Sequence, residues 1–391
     1  MAFTAHALEL PSDAHPGTAT AIVHVAVHDE FAAAGEAWRH LEHVGLLTPY
    51  QRRAFAEPWW REIGRRQGIT PLIAVGYGAH DEPAFLWPLG WRRRGTLTVA
   101  EPLGGKHANF HFGPWTDAAL LAGRPTLDAA LSGLRRAAPQ VDVLALSNQA
   151  VEWRGRRNPF ALLADALPSP SDAYRVRLDA DPEAYLRRVL SHDARKQVRA
   201  KTRKFESMPG FQITRAAGPN ETADLLEAFL RQKAAKFARM GVPDPFAAPG
   251  TRAFLDALAP ASLDLYGLHA EGVPMAVFGG IGDGRRFSGM FMSYNACSHA
   301  RLTPGYVLTA HVIADLCRRG YESFDLGVGE ARYKAHFCNE TENLIDVVMP
   351  LSIAGRLYAG ADREARRAKR AVKRSPLLWN ALTRLRRLCA A

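Results

Sequence analysis

Leu263-Asp-Leu-Tyr-Gly-Leu-His269, Met275-Ala-Val-Phe-Gly-Gly-Ile281 and Arg286-Phe-Ser-Gly-Met-Phe-Met-Ser293 follow one another with only Glu271-Gly-Val-Pro274 and Gly282-Asp-Gly284 as turns between them. Short apolar runs separated by Gly, Pro and Asp-Gly signals predict a three-strand antiparallel meander. A helix over 306–319 comes next, with Gly320 as its left-handed stop. A strand over 323–326 closes the unit, and 344–348 adds an edge strand. Upstream, the pattern predicts a strand over 173–178 and a long basic helix over 182–205. Asp181 is its N-cap and Pro182 its first helical residue. A strand over 211–215 and helices around 223–239 and 251–258 lead into the meander.

The same order occurs in the first half. A strand over 21–27 precedes helices over 31–47 and 57–66, which Thr48-Pro49 separates. Strand runs follow at 72–77, 84–91 and 97–101, then a long connection over 102–125, a helix over 127–137 and a buried strand over 141–146. The copies lie roughly 190 residues apart and share order and element length, not residue identity. The expected class is therefore α+β: two lobes, each a mostly antiparallel central sheet flanked by helices. The expected division is a loose N-terminus (1–20), a first lobe (21–147), a linker (148–172), a second lobe (173–355) and a basic amphipathic tail (356–391).

Bulk properties agree with this division. A chain of 391 residues exceeds one ordinary core. With 47% hydrophobic and 23% charged residues, the composition is that of a folded rather than a disordered chain. The net charge of +11 is uneven, because residues 361–391 hold 10 Lys/Arg against 2 Asp/Glu. The body is nearly neutral, so the charge describes the tail rather than a nucleic-acid-binding surface. Cys297, Cys317, Cys338 and Cys389 are scattered, without a CxxC pair, which excludes a disulfide framework and a cysteine zinc site; no metal is expected. No leader pattern and no run of membrane-spanning length occurs, so the expected location is cytoplasmic. In the tail, Leu378, Leu382, Leu385 and Leu388 repeat at helical spacing among Arg384, Arg386 and Arg387. Such a helix suits the anionic inner face of a membrane, or docks on the protein body.

The chemistry concentrates in Ser293-Tyr-Asn-Ala-Cys-Ser-His-Ala-Arg-Leu-Thr-Pro-Gly-Tyr306. A strand ends, a loop carries Arg301, and a helix begins with Thr303 as N-cap and Pro304 as first helical residue. Gly305 leaves the first turn open to close approach. Unpaired amides and the helix dipole beside a guanidinium suit a pyrophosphate; plain helix capping with a solvated Arg301 is the alternative. Two other groups stand out. Gly104-Gly-Lys-His-Ala-Asn-Phe-His-Phe-Gly113 places His107, Asn109 and His111 in a long connection, where they face an acceptor or form a loop pinned by Phe110 and Phe112. Arg187, Arg188, Arg195, Lys196, Arg199, Lys201, Arg203 and Lys204 form a solvated helix face or meet an anionic acceptor or RNA.

Arg301-Leu-Thr-Pro-Gly-Tyr306, the helix after it, Arg319-Gly-Tyr-Glu-Ser-Phe-Asp-Leu-Gly-Val-Gly329, then Tyr333-Lys334 and Phe337 resemble the CelD-like (cellulose-biosynthesis-associated) branch of the GNAT superfamily, related to the FemABX transferases. The resemblance covers about 181–350, with a weaker one at Thr48-Pro49-Tyr50 and Trp59-Trp60. It implies two GNAT-like lobes and transfer of an acyl group from an acyl-CoA thioester to an amine or hydroxyl, in polysaccharide or envelope metabolism. Arg301, Thr303, Gly305 and Tyr306 would bind the donor pyrophosphate. Arg301 is followed by Leu-Thr-Pro before Gly305, a departure from the usual GNAT loop. Asp325 would act as base, orient the acceptor, or bond a neighbouring loop. Tyr333 would protonate the leaving group, and Lys334 would bind an anionic group of the acceptor. The acceptor would be a small molecule or glycan precursor. Two alternatives belong with this reading: an aminoacyl-tRNA-dependent transferase of FemABX type, and a non-catalytic accessory of envelope polysaccharide export.

Overall fold

The computed structural model describes residues 22–296, 298–329 and 332–374. The predicted N-terminal looseness and the leucine-rich helix over 378–388 lie outside them.

The first lobe runs β1 (His24–His28), α1 (Gly35–Val44), α2 (Arg53–Trp59), β2 (Thr70–Tyr77), β3 (Pro83–Arg94), β4 (Leu97–Pro102), α3 (Asp117–Ala122), α4 (Arg124–Ala137) and β5 (Val143–Ala150). A small hairpin, β6 (Glu152–Trp153) and β7 (Arg156–Arg157), and the short β8 (Leu167–Pro168) occupy the expected linker. The second lobe continues with β9 (Ala173–Arg177), α5 (Pro182–Val189), α6 (His192–Glu206), β10 (Gln212–Arg215), α7 (Pro219–Met240), α8 (Thr251–Leu258), β11 (Leu263–Ala270), β12 (Val273–Gly282), β13 (Arg286–Tyr294), α9 (Pro304–Arg318), β14 (Ser323–Val328), α10 (Arg332–Phe337), β15 (Glu340–Glu342), β16 (Leu344–Pro350) and α11 (Ile353–Arg374).

The strand orders are β1-β2-β3-β4-β5-β16-β8 and β10-β11-β12-β13-β14-β9-β15. In each, four antiparallel strands lead through a helix to a fifth that pairs in parallel, β4 with β5 and β13 with β14. A parallel neighbour needs a crossover, which α4 and α9 provide. The fold is thus the expected α+β arrangement of two mostly antiparallel sheets flanked by helices.

Three expectations need correction. The strand over 344–348 is not an edge strand of the second sheet: β16 returns to the first sheet and pairs with β5 from Leu344 opposite Ala150 to Pro350 opposite Val143. Leu344, Ile345, Val347 and Val348 are buried, and a continuous apolar run belongs inside a sheet. The second lobe therefore does not hold all of 173–355, and the linker is partly strand. The helix over 182–205 is two helices. Leu190 is buried in an extended conformation, which breaks the first, and Ser191 restarts the chain by accepting from the amide of Ala194. The start of the expected basic tail is helix α11, lying along β16. Its Arg366 pairs with Asp346 at 2.5 Å, Arg363 pairs with Asp165 at 2.7 Å, and Ala359 is buried. No helix among the described residues is long and apolar enough to cross a membrane.

The lobes share one core. Leu225, Phe229, Phe254 and Leu255 of α7 and α8 pack with α2 and the first sheet, and the ring of Phe254 meets Phe55 edge-on at 5.5 Å. The joint also carries a buried charge cluster. Arg286 pairs with Asp325 at 2.9 Å and Glu342 at 2.7 Å, and its guanidinium lies over Trp153 at 4.4 Å and Phe110 at 5.1 Å. Removing one partner of a buried pair leaves charge without compensation, which costs about 3–5 kcal/mol. Arg286→Met is expected to lower stability by about that amount, read as a shift of the urea midpoint; an unchanged midpoint would show that the cluster does not hold the lobes.

Candidate functional site

β13 and β14 pair only at Arg286–Ser323, Phe287–Phe324 and Ser288–Asp325, and both strands then run on without a shared ladder. Two local features part them. Gly279 opposes Phe291 while Gly280 opposes Gly289, so Met290 is an extra residue in β13, and such a bulge bends and twists its strand. In addition, Asn109 of the first lobe sits in the fork. Its Nδ2 donates to the Gly289 carbonyl at 3.0 Å and to the Tyr50 hydroxyl at 2.6 Å. Across the fork, Gly327 has φ +68°, and a Cβ there would stand 2.5 Å from Asn109 Nδ2, so no larger residue fits.

Asp325 fastens the apex. One carboxylate oxygen accepts from Arg286 Nε and, at 2.6 Å, from the Ser288 hydroxyl; the other accepts from the Gly327 amide at 3.0 Å. Asp325 is fully buried and does not line the open space beyond. Of the roles the sequence allowed, the geometry shows the hydrogen bond to a neighbouring loop, accepted from the Gly327 amide.

Beyond the apex the fork encloses a cleft of about 360 Å³, walled by β13, Leu326 and Val328 of β14, Tyr333 and Lys334 of α10, and Lys233 and Lys236 of α7. Lys334 Nζ donates to the carbonyls of Gly327 (3.2 Å) and Val328 (2.9 Å). Burial pulls its ammonium down to about 8, against the opposing pull of Asp325. Burial also pushes the Tyr333 hydroxyl up to about 12, so it keeps its proton at neutral pH. Asn109, Tyr333 and Lys334, chosen from distant parts of the sequence, thus meet around one space.

The other predicted residues lie elsewhere. His107 accepts from Trp59 Nε1 at 3.2 Å and packs against Phe254; burial and Lys106 pull it down to about 4. His111 is buried against Gln51 at 2.7 Å and is likewise pulled to about 4. Neither lines the cleft. Residues 103–116 instead plug the first lobe's own fork. The His111 amide donates to the Asn148 carbonyl and the Ala150 amide donates back to the His111 carbonyl, both at 2.8 Å. Phe110, Phe112 and Trp115 fill the remaining space, and the cavity left there is only about 20 Å³.

At the start of α9, Arg301 is exposed in the turn over 298–302. Thr303 is not the expected side-chain cap. It has φ +52°, uncommon for a β-branched residue, and its hydroxyl accepts from Lys201 Nζ at 3.0 Å. Gly305 is buried, and a Cβ there would stand 2.6 Å from the Met292 sulfur. Its lack of a side chain serves Met292, which also lines the cleft, rather than direct contact with a ligand. Tyr306 packs on Phe337 at 4.5 Å, joining α9 to α10. Among the described residues no group of three His, Cys, Asp or Glu side chains is placed to hold a metal. Sequence reasoning missed Lys233 and Lys236. They lie in the stretch Gln232-Lys-Ala-Ala-Lys-Phe237 of α7, which gives no sign of which face turns inward.

Residues 192–335, from α6 to α10, match the family described as acetyltransferase (GNAT) domain. No curated protein matches the chain. Among solved structures, FemX shares the fold with a TM-score of 0.60 at 10% identity, covering 84% of this chain and 98% of its own. A conserved protein of unknown function from Bacteroides thetaiotaomicron gives 0.51 at 12% identity, covering 84% and 100%. The C-terminal domain (DUF2156) of the "Putative Lysylphosphatidylglycerol Synthetase" from Agrobacterium fabrum gives 0.51 at 11%, covering 85% and 96%. The second lobe is thus similar to GNAT acetyltransferases, within a two-lobed fold that FemX shares.

Proposed function

We propose that the cleft transfers an acyl group from an acyl-CoA thioester to an amine or hydroxyl acceptor. The observation that carries this reading is the split parallel pair β13–β14, with the start of α9 beside its wall. Past Ser288 the β14 side of β13 has no ladder partner; Asn109 takes the Gly289 carbonyl, and backbone N–H groups beyond it would hold a thioester carbonyl. Outside that wall, Arg301, Lys201 and the positive end of the 15-residue helix α9 offer charge for a pyrophosphate. The CelD-like resemblance puts Arg301, Thr303, Gly305 and Tyr306 at the donor; here Arg301 and Thr303 meet it, while Gly305 and Tyr306 shape the wall behind it.

The acceptor nitrogen or oxygen attacks the thioester carbonyl carbon, loses its proton, and the carbon–sulfur bond breaks. Two N–H bonds of Lys334 are committed to the Gly327 and Val328 carbonyls. When neutral, the amine keeps a lone pair for the acceptor's proton, and a group near 8 is neutral often enough to serve as base. Tyr333 holds a proton for the departing thiolate. An aminoacyl-tRNA donor is a second reading, favoured by one observation: exposed Lys196, Arg203 and Lys204 of α6 extend from the Lys201–Thr303 contact. Ribonuclease would abolish activity in that case and leave acyl-CoA-dependent transfer intact.

Arg301→Ala is expected to weaken acetyl-CoA binding by about tenfold to a hundredfold, the loss of one hydrogen bond to a charged group. Calorimetry checks this, and unchanged affinity removes Arg301 from the donor site. Lys334→Arg keeps charge but gives up the base, so kcat should fall by about 10²–10⁴-fold while acetyl-CoA affinity holds. In the wild type, protonation of Lys334 should lower kcat as pH falls through about 8, and the variant should lack that limb. A wild-type pH profile in the variant would count against the role.

A further inference from the structure

The cleft passes through the second sheet. Leu265, Val277 and Phe291 face α7 and α8, whereas Tyr266, Ala276 and Phe278 face α9. The cleft is lined from both faces, so a donor held at α9 would approach from one face and the α7 side is left for the acceptor. Lys233 and Lys236, one turn apart on α7, line that side. No Asp or Glu lines the cleft among the described residues. The Lys233 ammonium meets ring faces, Phe246 at 5.2 Å and Phe229 at 5.8 Å, rather than a carboxylate. The one carboxylate that acts on it, Asp244, caps the Phe246 amide at 2.9 Å. Asp325 and Glu342 are bound to Arg286. Phe229 itself stacks on Phe291 at 4.0 Å, which fixes the inward direction of this part of α7.

Two cations brought together with no carboxylate in hydrogen-bond contact with Lys233 repel each other, and Lys233 is also drawn partly out of water. An anion there would relieve both costs. Burial has already drawn Lys233 down to about 8, with Lys236 adding to the effect. We propose that the acceptor carries a carboxylate or phosphate, and that Lys233 and Lys236 hold that group at the α7 side while its amine or hydroxyl reaches toward Lys334. This rests on the transferase reading above and adds to it the class of acceptor.

Inorganic phosphate serves as the probe, since the acceptor is unidentified. Calorimetric titration would be made into wild-type protein, into K233Q/K236Q, and into R135Q/R136Q of α4 as a surface control, with thermal melts confirming that all three fold. The expected result is binding by wild type and control, at least tenfold weaker binding by K233Q/K236Q, and phosphate binding that persists with acetyl-CoA present. Equal binding by all three proteins, or none at millimolar phosphate, overturns the proposal. So does displacement of phosphate by acetyl-CoA, which would assign the anion to the donor. Protein that binds phosphate through these lysines but binds no acetyl-CoA upholds the anion site and defeats the acyl-CoA reading.

Discussion

Arg286 stands where two strands and two lobes come together. Its guanidinium pairs with Asp325 across the shared rungs of β13 and β14, reaches Glu342 of β15, and lies against Phe110 of the first lobe and Trp153 of the hairpin that follows it. Beyond this point the two strands have no ladder to keep them at a set distance. An open fork is stable only if its apex is held from several directions, and a planar cation with fixed donors is suited to that task. Burying it is costly unless every charge is matched, and here two carboxylates and two aromatic faces do the matching. The cleft and the placement of Lys334 and Asn109 follow from this junction.

The two lobes show opposite outcomes of one topology. Each has a parallel pair entered through a helix, and each pair parts after a few residues. In the first lobe the chain fills the gap with its own backbone, through His111 and Gln149, and with aromatic side chains. In the second lobe the gap stays open, and what enters it is one amide side chain from the first lobe. The closed copy thus acts as a support that reaches into the open one. This accounts for the large interlobe core: a wedge holds a gap open only if its base does not move.

The two-lobed order, the meanders and the helix begun at Pro304 were legible in the sequence, because turn residues and apolar periodicity are local signals; Tyr333 and Lys334 carry no such signal and were singled out only by the resemblance. What escaped was set by long-range packing. His107, Asn109 and His111 lie within five residues of one another, yet only Asn109 points into the cleft, a choice made by how the plug seats against β5. Gly305 reads as an opening for a ligand and is instead the seat of Met292. Lys233 and Lys236 carry no signal in the sequence, and only the fork shows what they face. β16 was recognisable as a strand, but nothing local says which sheet will take it.

That last strand has a consequence for how the protein comes into being. Seen from the ribosome, the first lobe remains unfinished while nearly 200 further residues are made, because the partner for the outer side of β5 arrives only with Leu344–Pro350. Until then β5 presents an unpaired, apolar border of the kind that invites pairing with another chain. Maturation of the first lobe is therefore tied to completion of the second, and a product cut short between them would carry an open seam rather than an independent half.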